Sequence, residues 1–87
     1  MDSYSEVADL QLDELGARDP ALYDAVLRAC ESILDHPERA QSLSGAITTE
    51  QGTRMVLPVP GFPPYKVFWT TELPRVEAVF PYDFRSR

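Results

Sequence analysis

The cationic and phenolic side chains of the C-terminal half have the clearest potential for chemistry in this sequence. Arg54 and Lys66 lie within stretches of β-branched and aromatic residues, and Tyr82 and Arg85 follow the last such stretch. Guanidinium and ammonium groups attract anions, and a phenol can donate or accept a hydrogen bond. Because these residues lie in or just after strand-like segments, we expect them to form a platform that grips a partner.

Charge is divided unevenly along the chain, whose net charge is −6. Residues 1–38 hold ten acids against two arginines, a balance of −8, and residues 39–87 hold four acids against six basic residues, a balance of +2. Nucleic-acid binding depends on cations that displace counterions from phosphates, so the acidic half would repel nucleic acid. The second half can touch a mildly anionic partner, although ordinary solubilising charge explains the pattern equally well.

His36 and Cys30 also invite a catalytic or metal-binding interpretation. The histidine falls in the last turn of a predicted helix, where the helix dipole alone favours it. The cysteine falls within an apolar helical pattern, which favours a role as a core residue. A single cysteine allows no intrachain disulfide and fits a reducing compartment, and one cysteine with one histidine does not suit a structural zinc site. We therefore predict no cofactor and no metal.

Two helices are predicted in residues 1–37. The first begins at Ser3, whose hydroxyl can cap the helix while the side chain of Glu6, three residues later, reaches back to it. It ends at Gly16, a natural C-terminal cap. The second begins at Asp19, which is followed by a proline, and Pro37 stops it. Apolar residues recur along both at three- and four-residue spacing. Because the link between them is short, the helices should pack as an antiparallel hairpin.

From Thr53 the apolar period changes to that of β-strands. Three stretches are rich in β-branched and aromatic residues and end in proline, glycine or acidic turns: residues 54–59, 65–71 and 75–80. Residues 38–52 are small and polar, and are predicted as a loop in which a short strand around 46–49 is an open alternative. Pro58 cannot donate to a sheet, so it should lie at an edge, a bulge or a strand end.

Alternation along the middle strand predicts which side chains share a face. One side carries Tyr65, Val67 and Trp69, and the other carries Lys66, Phe68 and Thr70. The helices should cover the more apolar side, that of Val67 and Trp69. Lys66 would then point outward, beside Arg54 if the strand register permits.

These elements predict one α+β domain, 1–87. An N-terminal antiparallel helical hairpin (1–37) and a loop (38–52) precede a three- to four-stranded antiparallel β-meander (53–82), and a chain of this size buries one modest core.

No apolar run approaches the roughly 20 residues that cross a bilayer, and the first residues are acidic where a secretory signal is basic. We therefore expect a cytoplasmic protein without membrane contact.

The order of these elements and three short motifs resemble the RelE/ParE superfamily, small bacterial toxins of type II toxin–antitoxin pairs. The second helix, which ends in Leu-Asp-His-Pro at 34–37, looks like part of the family's helical hairpin. Residues 54–57 (RMVL) look like its arginine strand. Residues 62–69 (FPPYKVFW), with 76–80 and Arg85, are similar to its paired C-terminal strands. Members usually open with a strand, which is not predicted here, so the sheet should have an edge that something must cover.

The resemblance implies two kinds of activity. ParE-like members poison DNA gyrase by binding it, and RelE-like members cleave mRNA on the ribosome. For cleavage, Arg54 and Lys66 would stabilise the phosphate charge, Tyr82 would act as acid or base, and Arg85 would clamp a phosphate. Toxins of the family that act on the ribosome are usually strongly basic, whereas this chain is acidic, so we expect binding ahead of catalysis. Enzymatic activity stays open at this point.

The resemblance also implies partners. Family toxins are wrapped by an antitoxin, so a cognate antitoxin is expected, with DNA gyrase or the ribosome and its mRNA as the target. A homodimer joined through an open sheet edge is a further expectation. A third interpretation is an inactive toxin fold that is retained as a protein-interaction module.

Overall fold

The computed structural model describes residues 3–81, in which three helices precede a four-stranded sheet. In chain order the elements are α1 Glu6–Arg18, α2 Pro20–Asp35, α3 Pro37–Leu43, β1 Gly45–Thr49, β2 Gly52–Pro58, β3 Lys66–Thr70 and β4 Arg75–Phe80. The strand order is β1-β2-β3-β4, and each neighbouring pair is antiparallel. The predicted α+β fold, a helical hairpin on an antiparallel meander, is confirmed. No helix in this part of the chain combines the length and apolar character needed to cross a membrane.

The first helix is capped by Ser5, so the prediction that Ser3 caps it is wrong. The Ser5 hydroxyl accepts the N–H of Ala8 at 3.0 Å. Ser3 lies before the helix, where its carbonyl accepts the N–H of Val76 at 2.9 Å. The residue with the better capping motif is therefore used to pair with the sheet.

A single residue, Asp19, connects α1 to α2. Its backbone N–H donates to the Leu15 carbonyl at 2.8 Å and closes α1, while its carboxylate accepts the N–H of Leu22 at 3.2 Å and opens α2. The predicted start of α2 is thus confirmed. The prediction that Gly16 ends α1 is wrong, because the helix continues to Arg18.

The third helix, α3, occupies part of the region predicted as a loop (38–52). Pro37 takes its first turn, and Ala40 is its one buried residue. A helix of seven residues with a single buried position has no apolar period, so the sequence pattern could not reveal it. The short strand considered around 46–49 is confirmed as β1.

The sheet follows the predicted meander closely. β4 matches its predicted span, and Pro58 is the last residue of β2, as expected for a residue that cannot donate to a sheet. The two-residue loop between β1 and β2 requires Gly52, whose φ of 113° is rarely adopted by residues with a side chain. β4 is interrupted by a register shift that leaves Glu77 between the residues paired with Phe68 and Trp69.

The core lies between the helices and the inner face of the sheet. Val67 and Trp69 are fully buried, which confirms that the helices cover their side, and Cys30 is buried as predicted. The Trp69 indole donates to the Ser44 hydroxyl at 3.1 Å, so its one polar atom is satisfied. The other buried apolar residues are Ala8, Leu12, Leu15, Leu22, Val26, Ala29, Ile33, Ala40, Met55, Leu57, Val59, Val76 and Val79.

The outer edge of β4 is closed by the chain's own N-terminal segment and α1. The Ser5 N–H donates to the Val76 carbonyl at 2.9 Å, and its hydroxyl donates to the Glu77 carbonyl at 2.6 Å. Gln11, only 1% exposed, accepts the N–H of Val79 at 2.7 Å. The expected need to cover an edge is therefore met at β4 by residues that form too short a pairing to show a strand pattern.

Candidate contact surface on the outer face of the sheet

The face of the sheet opposite the helices is the candidate functional site. It follows from strand alternation, because the inward residues of β2, β3 and β4 are buried in the core. We call it the outer face. On β2, β3 and β4 it consists of Arg54, Val56, Pro58, Lys66, Phe68, Thr70, Arg75, Glu77, Ala78 and Phe80, and Ile47 of β1 lies on the same side opposite Arg54.

Apolar side chains occupy the middle of the outer face. Val56 lies opposite Phe68 on β3, which in turn lies opposite Ala78 on β4. Phe80 is 39% exposed, and its ring packs edge-on against that of Phe68 with 5.0 Å between centroids. These rings contribute nothing to the helix–sheet core, so the outer face offers solvent a contiguous apolar centre of the kind that partners cover.

Arg54 and Lys66 share the outer face, as predicted, but lie at opposite ends of it. Lys66 is paired with Pro58, four residues along β2 from Arg54. At the rise of a β-strand this separates the two backbone positions by roughly 13 Å. Val56 lies between them on the same side of β2, so the register does not place the two cations side by side.

Arg54 instead shares a hollow with Arg75, at the end of the sheet where the β1–β2 and β3–β4 turns lie. The hollow has a volume of about 550 Å³. Arg54 Nη1 donates to the carbonyl oxygens of Gln51 and Thr53, each at 3.4 Å, and both hydrogen bonds are long. Arg75 Nε lies 3.9 Å from a Glu77 carboxylate oxygen, and this buried nitrogen has no hydrogen-bond partner among the described residues. Both guanidinium groups therefore retain capacity for an incoming acceptor.

The formal charge of this hollow is balanced. Glu72 and Glu77 line it together with Arg54 and Arg75, so two carboxylates face two guanidinium groups. A polyanion gains affinity by neutralising phosphates with unpaired cations, and a balanced hollow provides little of that. The arrangement suits a partner surface that carries both donors and acceptors better than it suits a nucleic-acid backbone.

Two of the four candidates named from the sequence are not placed. Tyr82 and Arg85 lie outside the described residues. Arg75 was not among the candidates, although it lies at the same end of the outer face as Arg54. Its position at the start of β4, opposite Thr70, follows from the tight β3–β4 turn, and that turn was the signal that could have identified it.

The groups with shifted pKa values lie away from the outer face. Burial raises the pKa of the Cys30 thiol from 9.0 to about 12, with a smaller contribution from the Glu31 carboxylate. Burial is also the main reason that the pKa of Tyr4 rises from 10.0 to about 12. Both side chains pack in or against the core. Across residues 3–81, no three His, Cys, Asp or Glu side chains are grouped as a metal site requires.

No protein-family model, curated protein or solved structure matches this chain. The chemistry of the outer face is therefore the basis for assigning a function. Its residues form an apolar centre with Lys66 at one end and the charge-balanced hollow at the other. Such a surface can bind a partner through shape and apolar contact, with charged groups that set orientation.

Proposed function

We propose that this protein is a toxin-like component of a type II toxin–antitoxin system, of the RelE/ParE kind, that acts by binding a macromolecular target. The outer face would make the contact, in the manner of ParE-like members that poison DNA gyrase. The observation that carries this proposal is the position of Val56 and Phe68 between the two candidate cations. The α+β arrangement of a helical hairpin on a meander supports it at the level of the fold.

Contact is favoured over cleavage by the spacing of the cations. RNA cleavage requires the groups that stabilise charge and transfer protons to converge on one phosphate, within hydrogen-bond reach of its oxygens. Arg54 and Lys66 start roughly 13 Å apart along the sheet, so both could reach one phosphate only by lying across the apolar centre. A partner that covers the whole face satisfies these residues without such convergence.

The proposed antitoxin would cover the same surface. With the hollow included, Arg54, Lys66 and Arg75 stand against Glu72 and Glu77, an excess of one positive charge that lies at the Lys66 end. A segment with apolar residues flanked by acids would complement this pattern. Target and antitoxin would then compete for the outer face, which explains how one could neutralise the effect of the other.

Induced expression in a bacterial host tests the proposal, with and without the neighbouring open reading frame. We expect growth arrest that co-expression of the neighbour relieves, and mRNA that stays intact during the arrest. Replacement Phe80→Ser should relieve the arrest because it removes an exposed ring from the apolar centre. The matched control is Leu10→Ser, which alters a 66% exposed apolar residue on α1 and should leave the arrest unchanged.

Three results would count against contact through the outer face. Cleaved mRNA that disappears in Arg54→Ala and Lys66→Ala would support the RelE-like nuclease instead. Arrest that survives Phe80→Ser in a folded protein would place the contact elsewhere. The absence of arrest under both conditions would favour an inactive interaction module.

A further inference from the structure

The strand β1 is unusually exposed for part of a sheet. Its first four residues, including Ile47 at 40%, are exposed, and Thr49 is half-buried. The inward-pointing Ala46 and Thr48 are exposed too, so the helical layer does not extend beneath this strand. β1 is therefore accessible along its outer edge and on both faces.

The two edges of the sheet differ in whether other described residues cover them. The β4 edge is closed by hydrogen bonds from Ser5 and Gln11, whereas no described strand pairs with the outer edge of β1. Proteins usually protect an open edge with a charge, a proline or a bulge. The β1 sequence, Gly-Ala-Ile-Thr-Thr, has no charge or proline, and its pairing with β2 is unbroken. The open edge is thus suited to pairing with another strand.

We propose that β1 pairs with β1 of a second copy of this chain, antiparallel and around a twofold axis at Ile47. Two four-stranded sheets would then join into one sheet of eight strands. This dimer is independent of the proposed function, since it uses the edge of the sheet and requires neither a toxin target nor an antitoxin.

A register centred on Ile47 satisfies the geometry of an antiparallel pair. Ala46 of each copy then lies opposite Thr48 of the other, and Gly45 opposite Thr49. The alternate N–H and C=O groups that point away from β2 would be paired across the axis, and the two Ile47 side chains would meet on one face. A shift by one residue would place each outward side chain beside an inward one, so the pleat disfavours it.

Charge favours a second copy at this edge over one elsewhere. Residues 1–38 carry a balance of −8, so two helical layers that face each other would repel. At the β1 edge, by contrast, the first residues to meet a second copy are the uncharged residues of β1. Leu43, 64% exposed at the end of α3 and two residues before β1, adds apolar surface beside the junction.

Sedimentation equilibrium of the purified protein tests this proposal over a range of protein concentrations. We expect a concentration-dependent rise towards twice the chain mass of 9.8 kDa. The replacement Ile47→Lys places two like charges opposite each other at the axis and should weaken the dimer about tenfold. Leu10→Lys adds the same charge on α1 and should leave the dimer constant nearly unchanged.

A crosslink tests the register without depending on the stability of the lysine variant. In Ile47→Cys, the two new thiols would face each other across the axis, and mild oxidation with diamide should yield a covalent dimer. Cys30 is fully buried and should not react, and Leu73→Cys, at an 80% exposed position in the β3–β4 turn, serves as the control. A monomer at all concentrations, or equal crosslinking of both variants, would overturn the proposal.

Discussion

The two faces of the sheet carry similar side chains in very different surroundings. On β3, Val67 and Trp69 point inward and are fully buried, while Phe68 between them points outward and is half-buried. The inner residues are required by the core, since they fill the space beneath the helices. The outer ring of Phe68 meets no such requirement, yet Phe80 packs against it. The comparison shows that the outer apolar centre is not explained by folding alone.

The same contrast applies to polar groups. On the helix side, Gln11 and Ser5 are buried and bonded to backbone groups of β4. On the outer face, the guanidinium groups of Arg54 and Arg75 make long or partial contacts. The oxygens of Gln11 and Ser5 are hydrogen-bonded within the fold, although Gln11 Nε2 is buried without a partner among the described residues. The guanidinium groups of the outer face retain donors that a partner can reach. This difference predicts which substitutions should affect stability and which should affect only binding.

The largest expected effect is loss of stability from the inner face. Trp69→Ala should lower the free energy of unfolding by about 3–5 kcal/mol, because it empties a fully buried site and removes the hydrogen bond to Ser44. Phe68→Ala, one residue away on the outer face, should cost about 1 kcal/mol. Urea unfolding followed by far-ultraviolet circular dichroism measures both. Equal losses would mean that both faces are structural, and Trp69→Phe provides a milder inner variant if Trp69→Ala does not fold.

The second effect is alkaline destabilisation through Cys30. Burial raises the pKa of its thiol from 9.0 to about 12, so the folded protein holds this proton more tightly than the unfolded chain. The stabilisation is fully present below pH 9 and is lost as the pH rises from 9 towards 12, by up to about 1.4 kcal/mol per pH unit. Urea unfolding at several pH values should show a shallower alkaline decline in Cys30→Ala. Parallel declines in both proteins would contradict this origin.

The sequence predicted the parts of the fold that local pattern controls. Alternation assigned Val67 and Trp69 to the core, and Asp19 and the proline after it marked the start of α2. These features depend on neighbours along the chain, whose spacing is visible in the sequence. Alternation also predicted that Lys66 points away from the helices, on the face where Arg54 lies.

What the sequence could not reveal depends on contacts between distant residues. Ser3 is diverted from capping by Val76, and no local pattern records that pairing. The distance between Arg54 and Lys66 follows from the β2–β3 register. That register depends on the irregular connection after Pro58. The tight β3–β4 turn places Arg75 opposite Thr70, but its approach to Arg54 depends on the same β2–β3 register. Register is a property of the assembled sheet, so the site could be predicted in composition but not in geometry.

The third effect concerns the closed edge of β4. Gln11→Met preserves side-chain size and leaves the buried N–H of Val79 without its acceptor, but it also removes the buried, unpaired Nε2 of Gln11, so the net cost should be about 1 kcal/mol. Hydrogen exchange at Val79 should accelerate more than exchange at Val67 in the sheet interior. Gln41→Met, on an exposed position of α3, is the control and should change neither quantity. Unchanged protection at Val79 would show that the edge is closed by other groups.

The smallest expected effect lies in the hollow of the outer face. Arg75 and Glu77 are 3.9 Å apart, and Arg75 is 42% exposed, so their interaction is screened by solvent. A double-mutant cycle with Arg75→Ala and Glu77→Ala should give a coupling in unfolding free energy below about 0.5 kcal/mol, and less at high salt. A coupling above about 1 kcal/mol that persists in high salt would make the pair a structural element. If the coupling is weak, breaking the contact between Arg75 and Glu77 requires little free energy. Both side chains can then bind groups of a partner instead of each other.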